Sequence, residues 1–173
     1  MAGILILFGV LVAVAILVGL LWISSRFKLI FLDNVVRNRA EIVEPWRRLG
    51  ELGDSLFVWR LGFGLVSLVL AIVLAGSFMW GVVFLATGDR FMILSFPAIL
   101  LMAAGGLLAL LTTIVLICIA LWTESFVVPI MYRFNLGAWE AWGYFLPWLK
   151  SYPLQFALYV LWIMVLGAGV LVA

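Results

Sequence analysis

Residues 98–122, AILLMAAGGLLALLTTIVLICIALW, contain no charged side chain, and this stretch decides the class of protein. A helix needs about 20 predominantly apolar residues to cross the roughly 30 Å hydrocarbon core of a bilayer. The stretch exceeds that length, and Pro97 immediately before it is a natural point for a helix to begin. We therefore predict a membrane-spanning helix here.

Three other stretches share this apolar character: residues 4–23, residues 56–80 and residues 154–172. Over the whole chain 68% of residues are hydrophobic and 10% are charged, whereas soluble globular domains carry about 25% charged residues. Too few charges remain to cover a soluble protein, so we expect lipid to surround most of the surface. The sequence predicts an all-α integral membrane helical bundle, one domain over residues 1–173, with about four transmembrane helices. The first run lacks a basic segment before it, so we interpret it as a retained helix and not a signal peptide.

The basic residues predict the orientation. Residues 24–55 hold most of them: Arg26, Lys28, Arg37, Arg39, Arg47 and Arg48. The turn predicted at Gly88–Arg90, which would join the second and third helices as a tight hairpin, has only Arg90. The positive-inside rule then places the first and third loops in the cytoplasm, with both termini outside.

Two loops have features of interfacial elbows, at about residues 27–53 and 124–152. In the first, acidic and basic residues recur at steps of three and four, which predicts one polar helix face: Asp33, Arg37, Glu41, Glu44, Arg48 and Glu51. We expect Pro45 to divide it into two short amphipathic helices on the membrane surface. The second elbow is rich in tryptophan and tyrosine, which favour the headgroup boundary.

A weak internal repeat relates the two elbows. A shift of 96 residues places Arg37 on Arg133, and it likewise aligns the following pairs: Lys28 with Glu124, Glu44 with Glu140, Trp46 with Trp142, and Ser55 with Ser151. Each half would then consist of a helix, an elbow that carries Glu-x-Trp, and a second helix.

Arg60 is the most conspicuous charge because it lies about one turn inside an apolar block. It can bind lipid phosphate, or it can reach the headgroups and pair with an acid, for which Glu124 is the candidate. Arg26, Lys28, Arg47 and Arg48 are further candidates for lipid-headgroup or ion-pair contacts. Small residues at helix-packing spacing could join this chain's own helices or a partner: Gly9 and Ala13, Ala15 and Gly19, Ala71 and Ala75, and Gly105 and Ala109.

Catalytic and cofactor sites are not indicated. The chain has no histidine and one cysteine, Cys118, inside an apolar run, and no nucleophile elbow, phosphate loop or metal-ligand spacing is present. We expect no cofactor, no metal and no nucleic-acid partner, and contact with pigment or haem only by packing. Glu44 and Glu140 are more simply interpreted as capping or pairing within their elbows than as a catalytic carboxylate pair.

Several motifs resemble a known family. The chain resembles an uncharacterised family of bacterial multi-pass membrane proteins. The stretches that carry the resemblance are Trp22–Arg26, Phe31–Ala40, Glu44-Pro-Trp-Arg-Arg48 and Ser55–Arg60, followed by Phe126–Met131 and Ala138–Trp142. That family is similar to the membrane-domain region of some glycerophosphoryl diester phosphodiesterases. The resemblance implies a helical membrane fold, but it supplies no activity or site residues, because the catalytic domain is absent from this sequence.

Three functions follow as hypotheses. The favoured one is a non-catalytic scaffold or accessory subunit of a larger membrane complex, with a bioenergetic or photosynthetic assembly as one host and with lipids and other membrane subunits as partners. The alternative is a permease-like or sensing module that handles lipids or small molecules. A membrane hydrolase is third, and a measured activity that depends on Glu44 or Glu140 would revive it.

Overall fold

The computed structural model describes residues 2–87 and 96–172, and these residues form helices joined by short turns. The α-helices in chain order are α1 (Ala2–Arg37), α2 (Val43–Arg48), α3 (Gly50–Thr87), α4 (Phe96–Trp122), α5 (Val128–Phe134), α6 (Ala138–Ser151) and α7 (Pro153–Val172). A π-helical segment, Thr123–Val127, connects α4 to α5. The turn predicted at Gly88–Arg90, and with it the predicted tight hairpin, lies outside the described residues.

Within the described residues, three helical stretches are long and apolar enough to cross a membrane: Ala2–Arg37, Gly50–Val83 and Leu100–Phe134. The stretches Ala138–Ser151 and Pro153–Gly167 are bent by 102° relative to each other and make a fourth span if they count as one. The predicted all-helical membrane fold is confirmed. The separate fourth span at residues 154–172 stays a prediction.

The first helix is longer than its apolar run. We predicted a span over residues 4–23 and a separate elbow from about residue 27, whereas α1 continues without a break to Arg37. The residues after Ile23 include no proline or glycine before Arg37, so nothing in the backbone ends the helix there. The ion pair between Asp33 and Arg37, with 3.1 Å between Oδ1 and Nε, also spans one turn of it.

The single polar face predicted across the first elbow is wrong. Helix α1 ends at Arg37, and Asn38 adopts a left-handed conformation with φ of 50°. The chain therefore changes direction after Asn38, and the later residues do not continue the same helix face. The break therefore falls before Pro45, which is the third residue of α2 and is buried. Ion pairs do form within single helices: Asp33 pairs with Arg37 in α1, and Arg48 Nε lies 3.3 Å from Glu44 Oε1 in α2.

The two elbows contain the same turn. Asn135, at the end of α5, has φ of 53° and is the counterpart of Asn38. The amide of Arg39 donates to the carbonyl of Asn34 at 3.0 Å, and the amide of Leu136 donates to that of Met131 at 3.2 Å. These turns are 97 residues apart, one more than the shift of 96 that aligns the sequences.

The chain divides into two compact units, and the first comprises residues 1–62 and 121–173. Its buried side chains come from the end of α1, from α2, from the start of α3 and from the helices after α4. The apolar members are Leu29, Ile30, Leu49, Leu52, Leu56, Val127, Val128, Met131, Ala138, Ala141, Trp142, Phe145 and Val160. Polar residues that link these elements surround this core.

The second unit comprises residues 63–120 and is built of the inner parts of α3 and α4. It contains a groove of about 470 Å³ whose walls include the predicted packing residues Ala75, Gly105 and Ala109. A Cβ atom built on Gly105 would meet nothing within 4 Å. Gly105 therefore does not pack closely against any residue that the structure describes.

Candidate functional site: polar clusters of the first unit

Arg26 is held by a carboxylate and two tryptophans. Its Nε and Nη2 donate to Asp54 Oδ1 and Oδ2 at 2.9 and 2.7 Å, which is a bidentate pair between α1 and α3. The indole N–H of Trp22, one turn earlier in α1, donates to the same Asp54 Oδ1 at 2.8 Å. The guanidinium carbon also lies 4.6 Å from the ring centroid of Trp22 and 5.1 Å from that of Trp46. The cluster thus fixes α1, α2 and α3 to one another.

Gly53 allows the helices to approach closely beside this cluster. A Cβ atom on Gly53 would lie 2.7 Å from Arg26 Cγ and 3.1 Å from Arg26 Cα. Real Cβ atoms essentially never come within 3.0 Å of a heavy atom that belongs to a residue distant in the chain. Glycine at this position is therefore what lets α3 lie against the backbone of α1.

Glu124 joins three helical elements through two cations. It is ion-paired and hydrogen-bonded to Arg60 of α3, and Lys28 Nζ of α1 lies 2.6 Å from its Oε2. Arg60 Nη1 also donates to Ser25 Oγ at 3.2 Å, and Ser25 in turn donates to the carbonyl of Leu21 at 2.8 Å. The structure therefore brings together Arg60 and its predicted partner. Lys28 and Glu124, which the sequence repeat aligns, contact each other directly.

The π-helical segment Thr123–Val127 contains Glu124. Proline at position 129 has no N–H to donate to the carbonyl of Ser125, and its ring would clash with that carbonyl in a regular α-helix. A wider turn before the proline relieves this conflict. Neither the sequence periodicity nor the repeat predicted this irregularity, although Pro129 was a signal for it.

Asp33 is the most buried acid of the described residues, with 1% of its surface exposed. Its Oδ1 accepts hydrogen bonds from Arg48 Nη2 of α2 at 2.5 Å and from Tyr132 Oη of α5 at 2.6 Å. Arg37 Nε lies 3.1 Å from the same oxygen. A charge buried in this way is stable only when paired and hydrogen-bonded, and here one oxygen joins the end of α1 to α2 and to α5.

The start of α6 is fixed by a side chain of α3. Ser55 Oγ accepts a hydrogen bond from the amide of Ala138 at 2.9 Å, so it satisfies one of the free donors of the first helical turn. Glu140 Oε2 accepts from the amide of Gly137 at 3.2 Å, as a capping residue does. Glu140 therefore has a local structural role, and so does Glu44 through Arg48.

Aromatic side chains fill the space between the π-helical segment, α6 and α7. Phe126 lies within 5.4 Å of three ring centroids, those of Phe145, Phe156 and Tyr159. In the described part of the chain, the buried indole N–H groups of Trp122 and Trp142 have no hydrogen-bond partner. On the outer side of α6, Trp139 and Trp148 are 75% and 68% exposed, a distribution typical of the membrane interface.

The candidate residues from the sequence divide into two groups. Those engaged in ion pairs are Arg26, Lys28, Arg48, Arg60 and Glu124. Arg47 is exposed and makes no ion pair with any residue that the structure describes. The same description holds no group of three or more histidine, cysteine, aspartate or glutamate side chains placed to bind a metal ion.

Sequence reasoning missed Asp54 and the role of Tyr132. Asp54 follows Gly53 in a stretch that we assigned to a loop, so its contact with Arg26 across 28 residues was not predicted. The available signal was Trp22 and Arg26 at a spacing of four, since two donors on one helix face indicate a shared acceptor. Tyr132 was interpreted only as an interfacial aromatic residue, whereas its hydroxyl donates to Asp33.

Comparison with protein families gives one result that covers the chain. A family model described as a family of unknown function, DUF7544, matches residues 1–173. Neither the curated proteins nor the solved structures include a match. The similarity to the membrane region of glycerophosphoryl diester phosphodiesterases stays a prediction.

Proposed function

The chain belongs to the DUF7544 family, whose function is unknown, and we propose that it is a non-catalytic scaffold or accessory subunit of a larger membrane complex. One observation carries this proposal. In each of the three long helical stretches, the most apolar window of 18 residues contains no residue that is buried by the described part of the chain. Lipid or other membrane proteins must cover those surfaces. A subunit that offers three uncovered helix surfaces is suited to assembly.

The use of the polar residues supports a structural role. The carboxylates of Asp33, Asp54 and Glu124 each accept from an arginine on another helical element. Such pairs fix the geometry of helix ends, and a carboxylate held in this way is occupied as an acceptor. The polar clusters therefore favour a structural role, in which they hold the helix ends of the first unit in fixed positions.

Small residues on α1 support a partner. A Cβ atom on Gly9 or Gly19 would meet nothing within 4 Å. Neither glycine therefore packs closely against the described part of the chain. In lipid, a small-residue face allows another helix to approach closely. A bioenergetic or photosynthetic assembly would be one such host, and pigments or haem would then contact this chain by packing alone.

The test is isolation from the native membrane in a mild detergent, with native mass spectrometry of the intact particle. We expect the chain to be recovered with at least one other membrane protein in a fixed ratio. The double variant Gly9→Leu/Ala13→Leu should reduce the recovered partner about tenfold, which corresponds to about 1.4 kcal/mol, because it blocks close approach. The control Val10→Leu/Val14→Leu changes exposed residues of the same helix and should leave recovery unchanged. Recovery of the wild-type chain as a lone monomer would contradict the proposal.

A module that handles lipids or small molecules is the second candidate. A specific observation favours it: a cleft of about 520 Å³ in the first unit is lined by Arg37, Arg48 and Arg133. A scaffold needs no such cleft.

We also propose a bacterial inner membrane location, with both termini outside the cytoplasm. The excess of lysine and arginine in residues 24–55 supports this orientation. In a Cys118→Ser background, a cysteine introduced by Gly3→Cys should react with a membrane-impermeant maleimide in intact spheroplasts. A cysteine introduced by Arg39→Cys should react only after lysis. The opposite labelling pattern would reverse the topology.

A further inference from the structure

A cleft opens between the end of α1, α2 and α5, wholly within the first unit. Its volume is about 520 Å³, and its polar walls are Arg37, Arg48, Arg133, Tyr132 and Asn135. The rest of its wall is apolar and includes Leu32, Leu49 and Pro129. The cleft therefore combines cationic and hydroxyl groups with an apolar side.

The charges around the cleft do not cancel. Arg37 and Arg48 share the carboxylate of Asp33, and Arg48 also contacts Glu44. Arg133 is exposed and has no acidic partner among the residues that the structure describes. Its guanidinium carbon lies 5.8 Å from the ring centroid of Phe134 on the same helix. Three arginines thus face two acids, and the excess positive charge resides on Arg133.

The cleft lies where the two halves of the repeat meet. Arg37 and Arg133, which the 96-residue shift aligns, line it from opposite helices. Tyr132, next to Arg133, is anchored to Asp33 of the other half by a hydrogen bond of 2.6 Å. The cationic residues therefore lie on helix ends whose positions are fixed by the ion pairs and hydrogen bond of Asp33. The site is thus preorganised for a ligand.

We propose that this cleft binds a phosphate group, with Arg133 as its principal ligand. The guanidinium presents a planar fork of donors that matches phosphate oxygens, whereas a carboxylate-rich or neutral cleft would not. The apolar wall suits the glycerol and first acyl carbons of a phospholipid, and the exposed tryptophans of α6 are typical of headgroup depth. The phosphate belongs either to an anionic lipid or to a soluble phosphate ester. This inference does not depend on the proposed scaffold role.

Binding can be measured by native mass spectrometry and by thermal stabilisation of the purified full-length chain in a neutral detergent. The probes are short-chain phosphatidylglycerol, short-chain phosphatidylcholine, glycerol 3-phosphate and inorganic phosphate. We expect saturable binding of phosphatidylglycerol in preference to phosphatidylcholine. Displacement of that lipid by glycerol 3-phosphate or inorganic phosphate at matching concentration would identify a soluble ester as the ligand, and failure of displacement would identify the lipid.

The matched variants are Arg133→Gln and Lys150→Gln. Both remove one exposed cation that lacks an ion pair in the described chain, but only Arg133 lines the cleft. Arg133→Gln should weaken binding about tenfold, equal to about 1.4 kcal/mol, and Lys150→Gln should change it less than about twofold. Arg133→Lys should lie between wild type and Arg133→Gln, because it keeps the charge and loses the fork. Two results would overturn the proposal: equal weakening by Arg133→Gln and Lys150→Gln, or equal binding of phosphatidylglycerol and phosphatidylcholine without binding of glycerol 3-phosphate or inorganic phosphate.

Discussion

Replacement of Asp33 by alanine is expected to lower the free energy of unfolding by about 3 kcal/mol, the low end of the range for breaking a buried ion pair. The substitution removes the oxygen that accepts from Arg48 and Tyr132 and that pairs with Arg37. Arg37 and Arg48 remain 40% and 34% exposed, so water will replace part of the lost interaction. Unfolding in mixed micelles, followed by tryptophan fluorescence and circular dichroism, measures the change.

The control for Asp33 is Glu41→Ala. Glu41 is 52% exposed and pairs with Arg39 at 3.4 Å, at the turn that follows α1. An exposed pair of this kind contributes about 0–1 kcal/mol. Asp33→Asn keeps the size of the side chain and should lose about half as much stability as Asp33→Ala. If Asp33→Ala and Glu41→Ala behave alike, Asp33 does not join the helices as we describe.

The membrane-crossing character could be predicted because it depends on local composition. Residues 98–122 contain no charged side chain and α4 covers them, although the helical stretch that is long and apolar enough to cross a membrane continues to Phe134. The partner of Arg60 could also be predicted, because a cation inside an apolar block requires an acid nearby and few acids are available. Both inferences use only the cost of exposing charge to hydrocarbon.

The ends of the helices could not be predicted from composition. Polar residues between Ser24 and Arg37 indicated the end of a membrane span, and we equated this with the end of a helix. A helix can continue beyond its apolar stretch, and α1 does so because its backbone hydrogen bonds remain satisfied within it. Helix α1 ends where Asn38 adopts the left-handed conformation. Several polar residues nearby can adopt that conformation, so the sequence alone does not show which of them ends the helix.

The polar clusters depend on contacts between distant parts of the chain. Arg26 meets Asp54 across 28 residues, and Asp33 meets Tyr132 across 99. A single sequence shows which residues carry opposite charges and can therefore pair. It does not show which of several acids lies next to a given base in the folded chain. The repeat brought the two elbows into correspondence, yet it could not show that their helix ends share one carboxylate.

Replacement of Gly53 by valine is expected to destabilise the first unit by at least about 2 kcal/mol, within the range for overpacking a close contact. Its Cβ would lie 2.7 Å from Arg26 Cγ and 3.1 Å from Arg26 Cα, which is main chain and cannot rotate away. Arg26 is further restrained by its bidentate pair with Asp54. Gly53→Ala should lose about 1 kcal/mol, because the helix propensity gained over glycine offsets part of the clash. The unfolding assay described for Asp33 applies here.

Gly50→Ala is the matched control, since its Cβ would meet the flexible end of the same Arg26 side chain at 3.5 Å, an ordinary contact. We expect its stability to stay within about 0.5 kcal/mol of wild type. A double-mutant cycle with Arg26→Ala then separates the steric cause from any general effect of the substitution. Removal of Arg26 Cγ relieves the 2.7 Å contact, so Gly53→Ala should cost less in that background than in the wild type. An unchanged cost would mean that Gly53 is required for a reason other than the approach of α3 to Arg26.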